Sequence, residues 1–415
     1  PGVAPGPPRE EFRALWQLPT DLGIFLMPSG SDAEYIPLAV AHALNPGKDV
    51  VNIVTCNEEV GSGTLDAAGG RFFSNVEPIS GYFAVGSSPK KGDPLDELNT
   101  NTTTIAILAR SGDGSTEDSL PATRAAVMDA ATKGQVPIIH RVLGSKTGIC
   151  EPVPPKDLSA QVTALGGLVV VDACQARLTS AELHASLEEH NAITLFTGSK
   201  FFRGVPFSGA VLVPGGIMAH VAASDYKLPT SLSTFIGQSE VPASLPNWRA
   251  SLMPSTNEGL VLRWVGALAE MQATLSYPET NRMEAQHAWR KGVIKLVSAE
   301  PQLDYFSAAE DTPSIVSIRV FKNAAGCGGF FNKSELQKIF QQMTQDLSET
   351  FPNEPLAAVP CFIGQPVVIS KDEAVLRIAL GSDSQRSTID SMSTSIEEDA
   401  VIVKKMAILA KAMAA

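Results

Sequence analysis

The stretch GGLVVVDACQA, residues 166–176, decides the fold class. Leu168 is followed by three valines, so the run is too β-branched and too short for a helix and reads as a buried strand. A strand apolar on both faces belongs to a sheet covered on both sides by helices. It ends on a carboxylate, Asp172, and in such sheets the carboxyl ends of strands line ligand crevices. Next comes LFTGSKFFRGVPFSGAVLVP, residues 195–214, where a strand runs into Thr197-Gly198-Ser199-Lys200 and a second strand follows a Gly/Pro-rich segment. Asp172 and Lys200 lie 28 residues apart, the length of one helix-plus-strand unit.

Outward from this centre the alternation continues. Residues 50–56 (VVNIVTC), 103–109 (TTIAILA), 136–142, 192–196 and 209–213 read as further strands, and residues 121–133 as a helix closed by Gly134. The expected fold class is α/β, with a mostly parallel central sheet and helices on both faces. Residues 260–272 begin a long connecting helix. Beyond residue 279 the pattern becomes strand, helix, two strands and a C-terminal helix, a smaller α+β domain. The expected division is an N-terminal arm over 1–28, a large domain over 29–278 and a small C-terminal domain over 279–415.

Composition narrows the function. The chain of 415 residues carries a net charge of −12 and no Lys/Arg cluster, so nucleic acid is not an expected partner. No apolar run reaches the roughly 18 residues of a membrane span. The five cysteines, Cys56, Cys150, Cys174, Cys327 and Cys361, are odd in number and widely spaced. They form no CxxC pair, which argues against a disulfide framework or a metal site and for a reducing, cytoplasmic setting. The opening PGVAPGPPREEF reads as neither signal nor transit peptide. No GxGxxG follows a strand and no GxxxxGK[ST] occurs, so nicotinamide and nucleotide chemistry lack their glycine fingerprints.

Three local signals carry the chemistry. PSGSDAE, residues 28–34, precedes the helical IPLAVAHAL, and a Ser/Gly turn opening a helix offers amides and hydroxyls to a phosphate. Asp172 can keep a pyridinium nitrogen protonated by favouring the charged ring. Lys200, beside Phe201 and Phe202, is placed for Schiff-base chemistry if its surroundings are apolar. Alone, each is ordinarily a helix cap, a turn or a surface lysine.

Taken together, their order, spacing and wording resemble the pyridoxal-5'-phosphate (PLP) enzymes of fold type I, in the class V aminotransferase and cysteine-desulfurase branch. The resemblance runs from Gly30-Ser31-Asp32 through Ser145-Lys146-Thr147-Gly148, Asp172-Ala173-Cys174-Gln175 and Thr197-Gly198-Ser199-Lys200 to Arg377 in VLRIALGS. It implies the aspartate-aminotransferase-like PLP-dependent transferase fold, an amino-acid-like substrate and a homodimer. It further implies that Ser31, the Asp32 amide, Thr197 and Ser199 hold the phosphate beside Gly30, and that Asp172 pairs with the ring nitrogen. Gln175 would meet the ring hydroxyl, Lys200 would form the Schiff base and shuttle the Cα proton, and Arg377 would grip a substrate carboxylate.

The chain also departs from that pattern. Relatives stack an aromatic ring on the cofactor, whereas CNEEVGSGT, residues 56–64, offers Glu58 and Glu59, and Glu58 is the expected cofactor contact. Ser199 replaces a histidine, and Lys146 replaces an asparagine on the substrate side. In CFIGQPVVI, residues 361–369, Cys361 falls two residues before the desulfurase nucleophile position, a displacement of roughly 7 Å along an extended strand. Cys327 lies in a Gly-rich loop, and persulfide chemistry is disfavoured for both. His140 and Arg141 end a strand near the crevice, and His140 is expected in the core. Transamination, elimination and replacement share their first deprotonation and stay open.

Overall fold

The computed structural model describes residues 6–75, 89–307, 312–323 and 328–414. The chain divides into two compact units, one of Pro1–Ala109, Asp118–Gly144 and Glu151–Ala273, the other of Arg110–Glu117, Ser145–Cys150 and Thr274–Ala415.

In the first unit seven strands form one sheet: β1 (Gly23–Met27), β2 (Val50–Val54), β3 (Thr102–Ala106), β4 (Val136–Val142), β5 (Leu168–Ala173), β6 (Ile193–Thr197) and β7 (Gly209–Val213). Their order is β1-β7-β6-β5-β4-β2-β3. β7 runs antiparallel to both neighbours and the other pairs are parallel, so β1, β2, β4, β5 and β6 end on the same edge. Every residue of β2 and β5 is buried, as helices on both faces require. The edge strand β3 keeps threonines and partial exposure.

Residues 6–27 are built into this unit. Helix α1 (Gly6–Trp16) buries Phe12 and Trp16. Phe12 meets Phe196 and Trp264 edge-on at 5.2 and 5.6 Å between centroids, and Trp16 meets Phe202 edge-on at 5.9 Å. Such pairs add to simple area burial. β1 then closes the sheet on β7. The expected helix over 121–133 is present as Leu120–Lys133, stopped by Gly134 at φ 68.

The second unit has its own four-stranded antiparallel sheet, with β8 (Leu303–Phe306), β9 (Ile315–Val320), β10 (Gly364–Val368) and β11 (Ala374–Ala379) in the order β10-β11-β9-β8. Trp289, Leu336, Leu376 and Met406 fill its core. Trp289 Nε1 donates to Asp399 Oδ2 at 2.6 Å, and burial pushes the Asp399 carboxyl up to about 6. No helix among the described residues is long and apolar enough to cross a membrane.

Candidate functional site

The parallel strands deliver Asp172, Thr197 and the turn after β1 to a common edge. Asp172 pairs in register with Val142 on one side and Leu195 on the other. It is 8% exposed, and its Oδ1 accepts the Cys174 amide at 2.9 Å, an Asx-type turn that bends the chain off the strand. Thr197 Oγ1 donates to the Cys174 carbonyl at 2.6 Å and so ties the ends of β5 and β6.

Gly30 brings the phosphate-type turn onto those ends. A methyl at Gly30 would lie 2.6 Å from Cys174 Sγ and 3.2 Å from Thr197 Cγ2, so the backbone approaches as only glycine allows. Ser31 Oγ lies 3.2 Å from where a methyl on Gly61 would stand, which places the loop after β2 beside the same turn. Helices α2 (Gly30–Ala33) and α3 (Tyr35–Leu44) follow. Ser29 caps α2: its hydroxyl accepts the Asp32 amide at 3.2 Å and donates to the Asp32 carboxyl. An anion here would take that amide from Ser29. Burial pushes the Asp32 carboxyl up to about 7, which reduces its charge near neutral pH.

Lys200 sits in a compact loop beyond β6. Gly204 N donates to Gly198 O at 2.9 Å, and Phe201 N donates to Gln175 O at 3.3 Å, joining the lysine loop to the Asp172 loop. Phe201 and Phe202 are buried, Phe202 among Trp16 and Phe196, while Lys200 is exposed. The apolar collar expected around the ammonium is therefore turned into the core beneath it. Burial, Asp172 and Glu34 push the Cys174 thiol up, and the Lys200 ammonium acts on it in the opposite direction. Ser199 and Gln175 are half-buried in the same two loops. Glu58 Oε1 accepts the Ala109 amide at 2.8 Å, bracing the loop after β2 against the chain beyond β3.

Two residues that the sequence left without a role stand out here. Glu34 and His140 are each 1% exposed in their side chains, with Oε2 of one 3.6 Å from Nε2 of the other. Both Glu34 oxygens and His140 Nε2 lack a hydrogen-bond partner among the described residues. The letters carry only a weak signal: Glu34 directly precedes the apolar run Tyr35–Ala41, and His140 directly follows the apolar run Val136–Ile139.

The remaining expected residues belong to the second unit. Arg377 on β11 donates through Nε and Nη2 to Gln365 O at 3.3 and 3.1 Å, and through Nη1 to Lys146 O at 2.8 Å. The Ser145–Cys150 segment is a tight turn closed by Gly148 N to Ser145 O at 3.1 Å and Ile149 N to Ser145 Oγ at 2.9 Å. Lys146 thus meets Arg377 through its backbone. Cys361 is buried and its thiol is pushed up by burial, while Cys327 lies outside the described residues.

The first unit's residues fit a phosphorylated pyridine aldehyde. A carboxylate closes a central strand, a lysine loop is bonded to the loop after it, and serine hydroxyls line a glycine turn packed on both. The orphaned polar atoms of Glu34 and His140 lie behind the carboxylate.

No family model matches the chain, and no curated protein matches it in sequence. Solved structures do match. One is a cysteine desulfurase from Escherichia coli, at 14% identity over 95% of this chain and 83% of that one, with a TM-score of 0.51. Another is a ureidoglycine–glyoxylate aminotransferase from Bacillus subtilis, at 12% identity over 100% and 92%, with a TM-score of 0.50. A third is an Oryza sativa TDC with PLP and tryptamine, at 14% identity over 94% and 73%, with a TM-score of 0.50. Likeness at this level speaks to architecture alone, and with the strand order and glycine turn above it leads to one conclusion: the chain has the fold of the PLP-dependent enzymes of fold type I.

Proposed function

We propose that the chain is a PLP-dependent enzyme that deprotonates the Cα of an amino-acid-like substrate, most simply as an aminotransferase. The observation that supports this reading is the meeting of Asp172, the Lys200 loop and the Gly30-Ser31 turn at the carboxyl ends of β5, β6 and β1. When bound, the cofactor supplies an electron sink for the charge left at Cα. Asp172 holds a proton at the ring nitrogen through its own negative charge. Lys200 provides the amine for attachment and carries the Cα proton. Ser31, Ser199, Thr197 and the Asp32 amide bind the phosphate beside Gly30, Gln175 meets the ring hydroxyl, and Glu58 stands in the loop that carries an aromatic in relatives.

Arg377 is assigned to the substrate carboxylate, since a guanidinium makes a two-point contact that an ammonium cannot. Lys146 is assigned to the substrate side. PLP-dependent elimination and β- or γ-replacement begin with the same deprotonation and form the second reading. Desulfurase chemistry is disfavoured because the Cys361 thiol is buried in the core of its unit. A homodimer completes the proposal, closed assemblies being the commonest symmetric form.

Borohydride reduction of PLP-treated protein, followed by peptide mass spectrometry, tests the central assignment. A phosphopyridoxyl mass on the Lys200 peptide, lost in Lys200→Ala, is expected. Stable labelling at another lysine, or at none, refutes it.

A further inference from the structure

The pair behind Asp172 holds two titratable side chains in a dry environment. His140 pairs in register with Val170, and Val170 and Asp172 are two residues apart on β5, so His140 and Asp172 face the same side of the sheet. That is the side on which α3 packs, since Val170 shares a core with Tyr35 and Leu38. Glu34, directly before α3, lies over it, 3.6 Å from His140 and close enough to Asp172 for their charges to interact.

Three charge states are open to such a pair. Ionised Glu34 beside neutral His140 would set a second carboxylate charge near Asp172, with no donor on either oxygen. Desolvation and like charge both oppose that state. A glutamate–imidazolium pair would bury two charges, and their attraction offsets the lost solvation only with further hydrogen bonds, which are absent among the described residues. A neutral carboxylic acid beside a neutral imidazole buries no charge, and a closing of the 3.6 Å separation by less than about 1 Å gives its O–H an acceptor in Nε2.

We propose that Glu34 is a protonated acid at neutral pH, donating to His140 Nε2, and that this neutral pair is a positioning element that keeps Asp172 the carboxylate charge at this end of β5. Burial and Asp172 push the Glu34 carboxyl well up, and burial pushes the His140 imidazole down to about 3, both toward the neutral pair. Cys174 from the β5 loop senses both Glu34 and the Lys200 ammonium, and Asp32, two residues before Glu34, is itself pushed toward neutrality by burial. The positioning role rests on the PLP reading; the protonation state does not.

The experiment begins with cofactor-free protein. The infrared difference between wild type and Glu34→Gln at pH 7 should contain one protonated carboxyl band. Carboxylate bands in its place overturn the proposal. In parallel, 15N NMR of histidine-labelled protein, with His140 assigned by its loss in His140→Gln, should show a neutral imidazole from pH 8 to pH 5. An imidazolium at pH 7 overturns it as well. The positioning role is read from PLP affinity: Glu34→Ala should weaken it about tenfold or more, and Glu34→Gln, which keeps a neutral donor, should restore it to within about threefold. Equal losses in both variants overturn the role. If wild type binds no PLP while the infrared and NMR results hold, the functional reading fails and the neutral pair stands.

Discussion

Replacing Asp172 by asparagine isolates charge from shape. The amide oxygen of the new side chain can still accept the Cys174 amide that Asp172 Oδ1 accepts at 2.9 Å, so the turn after β5 and the fold should persist. The ionic contribution is lost. A unit charge pair at about 4 Å, in an effective dielectric of about 20, interacts by about 4 kcal/mol. A neutral hydrogen bond from asparagine returns about 1 kcal/mol, which leaves about 3 kcal/mol, or about two orders of magnitude in rate. PLP should stay bound through its phosphate. The assay need not know the substrate: exchange of Cα–H for deuterium, followed by NMR over a panel of amino acids, reports the deprotonation itself. Exchange in Asp172→Asn at the wild-type rate would show that this carboxylate serves the turn alone and would refute the electrostatic argument.

Arg377→Lys keeps the charge but loses the planar fork that spans Gln365 O and Lys146 O. We expect kcat/KM to fall about tenfold or more for amino acids, at about 1.5–3 kcal/mol for a charged hydrogen bond, and little for matched amines without the carboxylate; equal losses would make it a structural clamp. Asp399 has a folded pKa raised to about 6, so its contribution is favourable below the unfolded carboxylate range and is lost as pH rises through about 6. Asp399→Asn, which keeps an acceptor for Trp289, should therefore stabilise the protein at pH 8 by up to about 3 kcal/mol and by nothing at pH 4, as read from denaturant midpoints; a pH-independent difference refutes it. Val205, Phe207, Leu262 and Val265 are 46–65% exposed on the first unit, and sedimentation should find a dimer dissociated by Phe207→Glu with Leu262→Glu. An active monomer at working concentration contradicts that.

Much of the architecture is legible because buried parallel strands advertise themselves. VVNIVTC and GGLVVVDACQA have no polar face, and the Asp172–Lys200 spacing needs a helix between two strands. β1 escapes such a reading because GIFLM pairs only with a strand far along the chain, information that no local window contains. β8 escapes it because LDYF is a half-buried edge strand without an apolar run. At the site, the letters point to Asp172 and Lys200 but not to how loops meet. The contact of Gly30 with Cys174 and Thr197, the Ser29 cap on Asp32, and the outward turn of Lys200 from its phenylalanines depend on tertiary packing. Glu34 and His140 can be read singly as core residues; only their closeness gives them a meaning.

The pairing of β1 with β7 bears on how the chain is made. Phe25 finds its partner Val211 only after 186 further residues. At about 5–20 residues per second on the ribosome, that interval is about 10–40 s. Throughout it, GIFLM is an uncharged apolar strand with nothing to pair with, the kind of segment that recruits other chains. The aromatic anchor of α1 cannot form earlier, because Phe196, Phe202 and Trp264 are also synthesised late. A segment made 186 residues before its partner is thus among the last to be fixed, and nascent chains stalled before residue 209 should be the ones that chaperones hold.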